Sequence, residues 1–177
     1  ILVFFYYSKW NEFKKIIKKP LNILILFITG LLVSINWFTW LYAVSKNKLL
    51  DASLGYYIFP LISVFLGAIF LKEQLNKNKL IAIILVGVSL IYMLLKFEEI
   101  PWTGLIVAIT FSIYGLVRKK VSVSSDLGLL IETLLISPIA IFLFIYLVKN
   151  DLNVFSFENP LKSFYLFWAG LMTLVPL

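Results

Sequence analysis

From Leu21 to Ser45 the chain reads LNILILFITGLLVSINWFTWLYAVS, a run without a single charged side chain. As a helix rising 1.5 Å per residue it would reach about 37 Å, enough to cross a hydrocarbon layer of about 30 Å. Its apolar residues occupy every face instead of one stripe, so the helix needs apolar surroundings on all sides. Similar runs lie at Ala52 to Leu71, Leu80 to Leu95, Ile100 to Val117 and Leu127 to Val148. Shorter runs occupy Ile1 to Tyr7 and the stretch from Phe164 to the end. The spacing predicts an all-α polytopic membrane protein with five complete helices and two partial ones. Both ends fall inside apolar runs, so the expectation is the middle of a longer polytopic protein.

Composition agrees with this pattern and narrows the chemistry. Of the 177 residues, 62% are hydrophobic and 14% charged, and the mean hydropathy is +0.99. A soluble domain is nearer half apolar and a quarter charged. There is no Cys and no His, which removes disulfides, thiolate nucleophiles, imidazole bases and the usual transition-metal ligands. No metal and no cofactor are expected. No GxxxxGK[ST] phosphate loop is present either, which disfavours ATP-driven pumping within this chain.

The net charge of +7 has a topological reading. Lys9, Lys14, Lys15, Lys18 and Lys19 fall in the first loop, Lys72, Lys77 and Lys79 in the third, and Arg118, Lys119 and Lys120 in the fifth. The intervening loops hold only Lys46 and Lys48, then Lys96, then Lys149 and Lys162. Loops on the cytoplasmic side retain positive charge, so the odd loops are expected inside. Basic residues divided this way do not form one basic face, and no nucleic-acid partner is expected. The expected partners are a small-molecule substrate and the lipid bilayer. Nothing in the spacing specifies an oligomeric state.

Sliding the chain against itself by 140 residues superimposes Pro20, Leu21, Leu26, Phe27, Gly30 and Leu31 on Pro160, Leu161, Leu166, Phe167, Gly170 and Leu171. The two matched segments are five helices apart, an odd number, so they enter the membrane from opposite sides. Inverted repeats about an axis in the membrane plane recur among secondary transporters, with the substrate site near the midplane.

Asn36-Trp37, the run Ala52-Ser53-Leu54-Gly55-Tyr56-Tyr57 continuing to Pro60-Leu61, Tyr114-Gly115-Leu116-Val117-Arg118-Lys119-Lys120, and Leu130-Ile131-Glu132-Thr133 with Pro138 together resemble the RarD branch of the EamA family in the drug/metabolite transporter superfamily. The resemblance implies a ten-helix protein of two inverted five-helix repeats with both ends cytoplasmic. Residues 1–97 would then run from the end of helix two through helix five, and residues 98–177 from helix six into helix eight. It further implies a secondary transporter, an exporter of small organic metabolites or drugs, in the cell (inner) membrane. The alternatives are a non-transporting membrane scaffold and a membrane-embedded lipid-modifying enzyme. The latter would need clustered acids or a metal site.

Several side chains are candidates for the substrate pathway. Glu132 is the only acid inside a clear span, and an ionisable group there is expensive and faces a partner, the bundle interior or water. It suits a cation contact or proton relay, or else a structural pair with Arg118 or Lys119. Asn36 can donate and accept, which suits either a polar solute or an interhelical hydrogen bond. Trp37 could wall a cavity or face lipid. Tyr56, Tyr57 and Tyr114 could stack on an aromatic or cationic solute, or serve as packing. Pro60, Pro138 and Pro176 are hinge candidates, because proline removes a helical hydrogen bond. Gly104, Ala108 and Ser112 form a small-residue stripe suited to close helix packing. Asp126 reads as an N-cap.

Overall fold

A computed structural model describes residues 2–96, 100–150 and 160–174. Its regular elements are seven α-helices: α1 Leu2–Ile17, α2 Pro20–Ser45, α3 Leu49–Phe70, α4 Lys77–Leu94, α5 Trp102–Arg118, α6 Ser125–Lys149 and α7 Pro160–Leu174. No strand occurs among the described residues. Helices α2, α3, α4 and α6 are long and apolar enough to cross a membrane, and the protein is a multi-pass membrane protein. Pro176 and the expected boundary between residues 97 and 98 lie outside the described residues.

Helix boundaries follow local chemistry. Prolines 20 and 160, equivalent under the 140-residue shift, each begin a helix; proline suits a first turn because its missing N–H would be unsatisfied there anyway. Asn76 caps α4, its side chain accepting a hydrogen bond from the Lys79 amide at 2.8 Å. The α2–α3 turn passes through Asn47 at φ 57°, a left-handed conformation asparagine adopts more readily than most residues. Helices α3 and α6 run through Pro60 and Pro138 without interruption.

One expected boundary is corrected. The first segment does not stop at Tyr7 but continues as α1 through Lys9, Lys14 and Lys15 to Ile17, with a kink at Lys9 (φ −114°, ψ 15°). Lysines mark a loop only if no apolar face runs between them. Here Ile16 is buried against Leu26, Leu127 and Ile131, with Phe13 beside it, so α1 continues as an amphipathic helix.

The described residues divide into two compact units, 1–135 and 136–177. In the first, α5 is held between α2 and α3. Added Cβ atoms show how close α3 and α5 come: one on Gly104 would collide with the Asp51 backbone carbonyl, and one on Gly55 would lie 2.6 Å from the Gly104 carbonyl. The Gly104–Ala108–Ser112 stripe is the buried face of α5. Ser112 extends the contact, its hydroxyl lying 3.3 Å from Ser63 Oγ and 3.2 Å from the Phe59 carbonyl. Large apolar residues such as Phe38, Phe65 and Leu85 are exposed on the outside, as in helices bathed in lipid. The second unit contains the rest of α6 and α7, where Phe164 and Trp168, one turn apart, stack at 6.2 Å.

Candidate functional site

Helical periodicity places two pairs of residues where α5 ends and α6 begins. Tyr114 and Arg118 are four apart on α5, and Gly128 and Glu132 are four apart on α6, so each pair shares a face. Glu132 is 3% exposed. Its Oε1 accepts a 2.7 Å hydrogen bond from the Thr29 hydroxyl of α2 and lies 3.4 Å from Arg118 Nε. Arg118 Nη2 donates to the Ser124 carbonyl at 3.2 Å, and the guanidinium lies over Gly128, where a Cβ would overlap Nη2. The Tyr114 hydroxyl approaches both Glu132 and Arg118. A carboxylate, a guanidinium and two hydroxyls thus converge from three helices within residues 1–135.

The pair is mutually neutralising, which is what allows it in an apolar bundle. Removing one member of a buried ion pair leaves an uncompensated charge and typically costs about 3–5 kcal/mol. Arg118 is also well placed as a cation in the last turn of α5, where the helix dipole favours it.

Two further ion pairs stand nearby. Lys9 Nζ of α1 lies 2.8 Å from Asp126 Oδ2 and donates to Ser124 Oγ at 3.3 Å. Asp126 is therefore not the N-cap: α6 starts at Ser125, which puts Asp126 inside the first turn, where its charge still suits the helix dipole. Lys119 Nζ donates to Glu73 Oε1 at 2.8 Å. That hydrogen bond, reinforced by the lysine charge, holds the Glu73 carboxyl below the usual glutamate value.

The other candidates are dispersed. Asn36 lies seven residues beyond Thr29 on the same buried face of α2 and donates through Nδ2 to the Val107 carbonyl at 2.9 Å and Thr110 Oγ1 at 3.0 Å, tying α2 to α5. Trp37 is half exposed and Tyr57 somewhat more so. Tyr56 is half exposed and meets Trp40 edge-on at 5.4 Å. Tyr114 is half-buried and stacks on Phe111 at 5.7 Å. Pro60 and Pro138 are exposed on their helices. The site thus gathers Glu132 and Tyr114 and leaves Asn36, Trp37, Tyr56 and Tyr57 elsewhere. The sequence reading did not pick out Thr29 and Gly128; a hydroxyl and a glycine in apolar runs are too common to signal a site. No group of three or more acidic residues able to hold a metal occurs among the described residues.

The comparisons with known proteins agree with this membrane architecture. Residues 1–95 match the EamA-like transporter family. The chain is 40% identical to the uncharacterized transporter YojE of Bacillus subtilis over 95% of its own length and 55% of the relative's. It is 35% identical to Protein RarD of Escherichia coli over 96% of its length and 57% of that protein's. At 26% identity it is similar to Protein RarD of Streptomyces exfoliatus, over 96% of this chain and 54% of the relative. The chain therefore spans little more than half the length of these relatives. No solved structure matches it. The family match covers more than half of the chain, and similarity to RarD-named proteins extends over nearly all of it: the chain belongs to the EamA-like transporter family.

Proposed function

We propose that this chain forms the central part of a secondary transporter that exports small organic solutes across the cell (inner) membrane by alternating access. The observation that carries the reading is Glu132: a carboxylate 3% exposed among apolar helices, held by Thr29 and Arg118. Intramembrane ionisable groups are rare, expensive and concentrated on solute and ion pathways. Residues 1–97 and 98–177 would belong to the two inverted repeats, whose relative movement exposes the cluster to one side and then the other. With the odd loops inside, as their positive charge favours, this cluster would lie towards the cytoplasmic end, where an exporter would meet its solute. Either a proton gradient or the solute's own gradient would drive the movement. Pro60, Pro138 and Pro176 are the proposed hinges, and Trp37, Tyr56, Tyr57 and Tyr114 the proposed pathway residues beside Glu132; of the two roles open to Asn36, we propose the interhelical tie over the solute contact.

A scaffold is the second reading. It is favoured by Asn36, whose two hydrogen bonds are made within the bundle. Transport assays separate the two. The full-length protein in proteoliposomes, screened against a metabolite mixture, is expected to give gradient-dependent flux above empty vesicles. Flux equal to that of empty vesicles for every solute, from protein shown to be folded, would support the scaffold.

A further inference from the structure

Arg118 is more completely built than a structural counter-ion requires. Its side chain is 14% exposed, against 4% for the Glu132 side chain it faces. A guanidinium carries five N–H donors in a planar fork. One binds the Ser124 carbonyl at 3.2 Å, Nε faces Glu132 at the long distance of 3.4 Å, and the Tyr114 hydroxyl is the third neighbour. Glu132 is held more closely by Thr29, at 2.7 Å, than by Arg118. The absence of a Cβ at residue 128 is what lets the fork lie where it does. Two neighbouring ion pairs are made with other groups, Lys9 of α1 with Asp126 of α6 and Lys119 of α5 with Glu73, and α2 contributes the neutral Thr29.

From this geometry we infer that Arg118, seated on Gly128, is a recognition site for the carboxylate of a monoanionic solute, with Glu132 as its built-in competitor. The inference rests on the transporter reading and names its solute class. A solute carboxylate has the same shape and charge as the Glu132 carboxylate it displaces, and can form the bidentate pair that the 3.4 Å Nε contact does not. A phosphate dianion would bring two charges to one guanidinium. When a proton neutralises Glu132, Arg118 loses its internal counter-charge and gains affinity for the solute; proton and carboxylate then bind together as a charge-balanced set, so an exported carboxylate carries its proton out with it and moves down its own gradient. Linkage of this kind is typically on the order of tenfold in affinity.

Benzoate, benzamide, benzylamine and phenyl phosphate share a ring and differ in the head group, so they test the site in the detergent-purified full-length protein by thermal shift and equilibrium binding. Benzoate is expected to bind wild type more tightly at pH 5.5 than at pH 8, while benzamide and benzylamine do not bind. Glu132→Gln should tighten benzoate binding at pH 8 by about tenfold and remove the pH dependence. This gain of binding does not depend on a damaged variant. Arg118→Lys, which keeps the charge but loses the fork, and Gly128→Ala, which displaces it, should each abolish the benzoate response. The inference is overturned if benzamide binds as tightly as benzoate, if phenyl phosphate at pH 8, where it is a dianion, binds Glu132→Gln as tightly as benzoate does, if Arg118→Lys retains the wild-type response, or if Glu132→Gln weakens benzoate binding. Flux of other solutes without benzoate binding would defeat this site and leave the transporter reading intact, whereas benzoate binding without flux of any solute would defeat transport alone.

Discussion

Where α2, α3 and α5 meet, the polar contacts are neutral and made by short side chains; where α5 meets α6, they are charged and made by long ones. Asn36 reaches a carbonyl and a hydroxyl of α5 at 2.9 and 3.0 Å, and Gly55 and Gly104 let α3 and α5 approach until no Cβ fits. At the other place a 3.4 Å ion pair, a glutamate bound across to α2 and an arginine draped over a glycine span the gap. Close neutral packing has one good arrangement, because a tight interior gives little when a group is added. Long charged side chains have several, and a proton or solute charge can select among them. Tight neutral contacts hold the α2–α3–α5 seam together, and on the proposed reading the Glu132–Arg118 corner is the part that responds to proton and solute.

The contrast can be broken most severely at the seam. Gly104→Val inserts three carbons where even a Cβ meets the Asp51 carbonyl. It should destabilise the full-length protein by about 1–3 kcal/mol, read as a lowered melting temperature in detergent; an unchanged melting temperature would mean that the seam is not tightly packed. Asn36→Leu should have a smaller effect, about 1 kcal/mol for two interhelical hydrogen bonds, and leave the pH profile of flux unaltered. If instead flux falls while stability holds, Asn36 belongs with the solute and the contrast fails there. The smallest effect is expected at the exposed Glu73–Lys119 pair. Because Lys119 lowers the folded-state Glu73 value, any stabilisation is present above the unfolded glutamate value and fades as pH falls through the lowered one. The melting temperatures of wild type and Glu73→Gln should be nearly equal at neutral pH, since exposed pairs contribute little, and should converge further in acid. A gap that widens in acid would contradict the sign.

The helices were legible because lipid imposes a length and an apolar composition on each span, and α2 begins within one residue of the expected Leu21. The end of the first segment was misread because its lysines hide the apolar face made by Phe13 and Ile16. At the site, Glu132 announced itself as a lone acid in an apolar run. Thr29, 103 residues away in sequence, and Gly128 could not, since their roles arise only when α2, α5 and α6 meet. Asn36 was equally conspicuous, but its type alone does not distinguish a solute contact from the tie to Val107 and Thr110 that the fold makes.

The central claim is that the charged corner takes part in transport while the neutral seam supports it. Its most direct test is the pH profile of flux in proteoliposomes containing the full-length protein, wild type against Glu132→Gln, using a solute identified in the metabolite screen. Glu132→Gln is expected to lose pH-gradient-driven flux while solute exchange at equal pH survives. Wild-type levels of both activities from pH 5 to pH 9 would contradict the claim.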